Sequence, residues 1–136
     1  MNDHTPNYPL RENAADQLRA ASGRRLADVT SEAARAGALS MADLQISAET
    51  LRAQADASRR AGYGQLAANL TRAAELTAVP NAEVLRMYNL LRPERATHAE
   101  LLALADTLEK QYHAPECARL VREAAEVYQA RGLVRK

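Results

Sequence analysis

The chain predicts an all-α protein, an open helical bundle entered through an irregular, extended N-terminal segment. Three observations carry that reading. Apolar residues recur at helical spacing through the segments after about residue 47. Helix boundary signals stand at the ends of those segments, among them Thr97 with Glu100, Pro115 and Gly132. No stretch keeps the alternation of a half-buried strand. One structural domain is expected, with 1–46 as an arm and irregular subdomain and 47–136 as the bundle.

The first 10 residues carry Pro6 and Pro9 without periodicity and read as an extended arm. Residues 11–21 have good helix propensity, with Ala14, Ala15, Leu18 and Ala21 roughly on one face. Ser22-Gly23 is a turn signal, and Arg24-Arg25 belong to that turn. Thr30 caps a short helix over 31–36, which Gly37 ends in the left-handed position favoured after a helix. Ser40 and Ser47 are further caps, and a helix runs from Ser47 to about Ala61 before Gly62 and Gly64 weaken or bend it. Leu66, Leu70, Ala73, Ala74 and Thr77 continue at helical spacing until Pro80 biases Val79 out of the helical region.

Asn81 is expected to cap the next helix, with Val84, Met87, Tyr88 and Leu91 inward and Pro93 at its end. Thr97 and Glu100 form a capping box, each side chain satisfying a free amide at the helix start. That helix presents Leu101, Leu104, Ala105, Leu108 and Tyr112 on one stripe. Pro115 suits the first position of the last helix, with Cys117, Leu120, Val121, Ala124 and Tyr128 inward and Gly132 at its end. Leu85, and the adjacent pairs Leu90-Leu91 and Leu101-Leu102, cannot all face one small core. They imply either a wide core face or a second surface, supplied by another helix or another subunit.

Composition narrows the function classes. A chain of 136 residues with 47% hydrophobic and 26% charged residues is a globular domain, able to bury roughly two thirds of its unfolded surface. Tyr is the only aromatic, so the core must come from Leu, Val, Ala and Tyr, and a partner should supply part of the stability. A net charge of +1, with acids and bases interleaved, is not the footprint of a nucleic-acid binder. No apolar run has bilayer length, and the single Cys117 excludes an intrachain disulfide and suits a reducing cytoplasm.

Candidate chemistry is thin. His113 and Cys117 have the four-residue spacing of two metal ligands, but Pro115 between them starts a helix and no third ligand is near. His4 and His98 are isolated, and His98 sits inside a capping box, where it faces solvent. Gly62-Tyr63-Gly64 has neither the strand nor the lysine of a phosphate cradle. Glu75, Glu100, Asp106 and Glu109 lie among arginines at helical spacing and read as ion pairs and caps. No catalytic, metal or cofactor-binding residue is assigned.

The order of several short motifs says more. Arg72-Ala73-Ala74-Glu75-Leu76 with Ala78 and Pro80 is followed by Tyr88-Asn89 and Leu91-Arg92-Pro93. Then come Glu100-Leu101-Leu102-Ala103, Ala105-Asp106 and Leu108-Glu109. Tyr8-Pro9-Leu10, then Asp43, Ile46 and Glu49-Thr50-Leu51, precede this run, and Val121-Arg122-Glu123-Ala124-Ala125 with Tyr128 closes it. From about Tyr8 onward, the chain resembles the small (gamma) subunit of adenosylcobalamin-dependent diol and glycerol dehydratases.

That resemblance implies a non-catalytic subunit that stabilises and assembles a complex converting 1,2-propanediol, or glycerol, to an aldehyde and water. It implies large (alpha) and medium (beta) partner subunits in a dimer of heterotrimers, with the active site on the large subunit. Adenosylcobalamin would belong to the holoenzyme without contacting this chain. Tyr8, Pro9 and Leu10 are expected to lie extended against a partner, with Arg72, Glu75, Asn89 and Arg92 as a polar rim. The implied location is the cytoplasm or a bacterial microcompartment within it. Some relatives carry a longer extension linked to packaging than the 7 residues ahead of Tyr8, which leaves encapsulation open. The alternative is a stand-alone helical adaptor or helix-turn-helix regulator, with helix pairs around Gly62 or Pro80 but no basic stripe to meet DNA.

Overall fold

The computed structural model describes residues 8–136. Among them are α-helices and short 3-10 turns but no strand, only an isolated bridge between Arg19 and Arg25. The fold is all-α. By internal contacts the chain divides into two compact units, Met1–Ala74 and Glu75–Lys136.

The first unit begins with α1 (Leu10–Asn13) and a 3-10 turn at Ala15–Gln17. Leu10 is buried, so this residue has local packing and does not belong to an extended arm; the rest of that expectation, with His4 and Pro6, lies largely outside the described residues. The helix expected over 11–21 breaks at Ala14, where φ is −149° and ψ 24°. Backbone pairing competes with it. Ala20 N–H donates to the Arg24 carbonyl at 2.9 Å and Leu26 N–H to that of Leu18 at 3.1 Å, using groups that a longer helix would need.

A second 3-10 turn, Leu26–Asp28, leads into α2 (Ser31–Arg35) and α3 (Met41–Leu44). Thr30 caps α2 by accepting from Ala33 N–H at 3.1 Å. A buried carboxylate fastens α3 to the turn before it. Asp43 accepts from Ser40 N–H at 2.7 Å and Ser40 Oγ at 3.1 Å, and from Arg24 Nε at 3.0 Å and the Ser22 hydroxyl. Arg24 also donates to the Ala38 carbonyl at 2.8 Å. The Ser22 hydroxyl, then the Ser40 amide and Arg24, hold the Asp43 carboxyl well below the usual carboxylate range. Ser47 then caps α4 (Ala48–Arg60), Gly62 turns the chain at a φ of 86°, and α5 (Gly64–Leu76) follows. The buried apolar residues of the first unit are Leu10 and a set of alanines, Ala14, Ala55, Ala67 and Ala74.

The second unit packs α6 (Asn81–Leu90), α7 (His98–Lys110) and α8 (Pro115–Arg131) around one core. Val79, Met87, Leu104, Leu108, Cys117 and Val121 form its main part, with Ala105, Ala114 and Ala118 letting the backbones approach closely. Ala96, Leu101 and Ala125 make a second cluster that shares Leu90 and Leu91 with the first. The Thr97–Glu100 capping box forms, and the inward stripe of α7 is as the spacing predicts. Gly132 ends α8 at a φ of 68°.

Three expectations change here. Pro80, not Asn81, occupies the cap position of α6, since its carbonyl accepts from Glu83 N–H at 2.9 Å and Val84 N–H at 3.0 Å. Tyr88 is 66% exposed, because α6 packs through Val84, Met87, Leu90 and Leu91 and the residue after Met87 falls on the outer side. Leu120 is exposed as well; Ala118 and Ala125 are buried on α8, where small side chains bring it close to α7.

The start of α8 is fixed from a distance. Ala114 at its cap position has no capping side chain. Glu75, buried at 8% exposure, accepts instead from Glu116 N–H at 3.0 Å and Cys117 N–H at 2.8 Å. Its carboxylate serves the positive end of the α8 dipole and satisfies amides that would otherwise be orphaned.

Replacing Glu75 by Ala should lower the unfolding free energy by about 2 kcal/mol, and Glu75→Gln by about half of that, as read from urea melts. The Asp43 effect depends on pH. A carboxyl depressed in the folded state stabilises fully above its unfolded pKa of about 4, and that contribution fades as pH falls below it. Asp43→Asn should therefore be less stable than the parent chain at pH 7, with the gap narrowing between about pH 5 and pH 3.

Candidate functional site

The residues that the structure leaves exposed point to docking rather than chemistry. On the outer side of α6, Leu85 is 64% and Tyr88 66% exposed, and Asn89 and Arg92 are exposed beside them. Positions 85, 88 and 89 have the i, i+3, i+4 spacing of one helix face, and Arg92 follows the end of α6. Glu83 and Arg86 flank that face as an i, i+3 pair, with Arg86 Nε 2.9 Å from Glu83 Oε2. The guanidinium holds the Glu83 carboxyl below its ordinary range. Two of the four predicted rim residues, Asn89 and Arg92, thus lie around exposed apolar side chains.

The first unit carries its own apolar surface. A groove of about 430 Å³ runs between α4 and α5, lined by Ala57, Ala61, Leu66 and Leu70, with Tyr8 and Tyr63 at its sides and Gln54 and Ser58 as polar lining. Tyr8 is therefore placed beside α4 and α5 within its own unit. Met41, Leu44 and Ile46 also point outward, on and just after α3, which the Asp43 bonds hold in place. Arg72 donates to the Asn69 side chain on α5. Glu75 belongs to the interior of the second unit, not to a rim, because both of its oxygens are bonded to the α8 amides.

Among the described residues there is no cluster of three or more His, Cys, Asp or Glu able to hold a metal ion. His113 is exposed and lies before the start of α8, while Cys117 is buried within it, so the pair does not share a regular turn. His98 Nε2 lies 3.0 Å from Glu126 Oε1, joining the start of α7 to the end of α8. Asp106 meets Lys110 Nζ at 3.0 Å and Arg122 at 2.9 Å, and these cations hold its carboxyl below the ordinary range. A carboxylate so paired is a poor proton acceptor at neutral pH. No helix among the described residues is long and apolar enough to cross a membrane.

Sequence reasoning missed Glu75 and Asp43 as organising groups, although each left a trace. An acid in the last turn of α5 opposes that helix's own dipole, which implies service to another element. Ser40 followed three residues later by Asp43 has the spacing of a capping box.

The described residues form an all-α fold with exposed apolar faces. Comparison with known proteins identifies its family. The family model described as dehydratase small subunit matches residues 4–135, so the chain belongs to the dehydratase small-subunit family. It is 45% identical over 122 residues to the propanediol dehydratase small subunit of Citrobacter freundii, covering 90% of this chain and 71% of that protein. Identity to the propanediol dehydratase small subunit of Salmonella typhimurium is 46% over 122 residues, covering 90% and 70%.

If the α6 face is a docking surface and not core, Leu85→Ser with Tyr88→Ser should leave the chain folded, changing its stability by no more than about 0.5 kcal/mol in thermal melts.

Proposed function

We infer that this chain is the non-catalytic small subunit of an adenosylcobalamin-dependent diol dehydratase, acting on 1,2-propanediol or glycerol to give an aldehyde and water. Its work is assembly and stabilisation alongside large and medium subunits, in a dimer of three-chain units. The observation that carries this reading is the combination of family membership with exposed apolar faces on a fold whose α7–α8 carboxylates Asp106 and Glu109 are held by cations. Leu85 and Tyr88 on α6, and Tyr63 and Leu66 beside the α4–α5 groove, are the apolar side chains available to meet a partner.

The residues present do not suit a cobalamin. A corrin ring needs a wide pocket, whereas the α4–α5 groove is about 430 Å³ and open to solvent. Neither His98, engaged with Glu126, nor His113 lines that groove. In this reading the cofactor and the substrate belong to the partner chains, and no chemical step is assigned to this one. Its location follows that of the complex, in the cytoplasm or within a microcompartment.

Co-expression with the large and medium subunits tests the proposal directly. Omitting this chain should reduce the recovered complex and its diol dehydratase activity together. Leu85→Asp with Tyr88→Asp should weaken co-purification about tenfold or more while the chain itself stays folded. An isolated chain that is fully stable and never co-purifies with those partners would exclude this function.

A further inference from the structure

Residues 133–135, which follow α8, reach back over the corner between α6 and α7. Glu94 N–H donates to the Leu133 carbonyl at 2.7 Å, and Arg135 N–H to the Ala96 carbonyl at 2.8 Å. The Arg135 guanidinium lies 2.7 Å and 2.8 Å from the two Glu100 oxygens, one of which also accepts from Thr97 N–H at 2.7 Å. At the same end, Tyr128 Oη donates to the Leu91 carbonyl at 2.7 Å. The corner has a feature that calls for outside support, since Glu94 is held at a φ of 62°, which a residue with a Cβ adopts at a cost. Leu133 and Val134 are half-buried, whereas Arg135 and Glu100 remain about half exposed.

We propose that residues 133–135 are a releasable clasp, which holds the 91–97 corner and the capped first turn of α7 and opens independently of the α7–α8 core. The two halves of the fold's bonding support this separation. Beyond the half-burial of Leu133 and Val134, the clasp is held by hydrogen bonds and one partly exposed ion pair, the kinds of interaction that local opening breaks at low cost. The core beyond it rests on Leu104, Leu108, Cys117 and Val121, none of which the clasp touches through a hydrogen bond. Opening would loosen the corner after α6 next to Asn89 and Arg92 and free the Ala96 carbonyl, which accepts from Arg135 N–H with the clasp in place. The inference stands on this geometry and does not depend on the enzymatic reading.

Hydrogen exchange of the full chain, measured amide by amide, tests the clasp against a chain ended after Gly132 and against Arg135→Ala. Glu100 and Leu101 are the deciding amides, because they bond to Thr97 and not to the clasp. Ending the chain after Gly132 should speed their exchange about tenfold, and Arg135→Ala about threefold, with Leu108 and Val121 unchanged. Acceleration confined to Glu94 would mean that only one bond was lost, and would overturn the proposal. So would a parallel loss of protection at Leu108 and Val121, which would make the segment part of the core. If the shortened chain does not fold, the Arg135→Ala comparison decides alone on the same amides.

Discussion

The second unit depends on a carboxylate placed at the wrong end of one helix so that it can sit at the right end of another. Glu75 lies in the last turn of α5, where its charge opposes the local dipole, and it bonds the Glu116 and Cys117 amides that open α8. Pro115 contributes no amide and Ala114 no cap, so the helix start has no local source of satisfaction. Once α8 is fixed there, Val121 and Ala125 fall opposite Leu104 and Leu101, and the core closes along that line. The 41-residue separation between Glu75 and Glu116 makes the bond a tertiary constraint rather than a local cap.

Much of the fold was legible because local rules and global packing agreed. Thr97 with Glu100, Pro115 and Gly132 mark helix ends by chemistry that needs only neighbouring residues. Reading failed where a distant partner decided. Residues 11–21 favour a helix by propensity, but their backbone is drawn into pairing with residues 24–26. Tyr88 satisfies the inward spacing of α6, but that helix packs through Val84, Met87 and Leu90 and leaves Tyr88 on its outer side. The docking candidates were partly legible for the same reason: Leu85 lies off the stripe, and a residue off the stripe is exposed or meets something else.

Alanine-rich cores shape the rest. Ala55, Ala67 and Ala74 are the buried apolar residues of α4 and α5, and Ala105, Ala114, Ala118 and Ala125 recur in the second unit. Alanines allow close helix approach but remove little apolar area from water. The larger side chains are often on the outside, as with Met41, Ile46, Tyr63 and Leu85. A fold built in this way leaves several larger apolar side chains on surfaces that another chain can cover. That distribution fits membership in a family of subunits better than it fits a free-standing bundle.

The ion pairs across α7 and α8 give this unit a front and a back. Arg122 bridges Asp106 and Glu109, Lys110 shares Asp106, and Arg119 spans Glu116 and Glu123. Charges neutralised so thoroughly by their neighbours project little field and have little to offer a visitor. Stripping water from such a lattice would forfeit hydration at every pair while creating no new bond. In the second unit, the paired charges along α7 and α8 are thus suited to stay wet, while Leu85 and Tyr88 on α6 remain free to be covered.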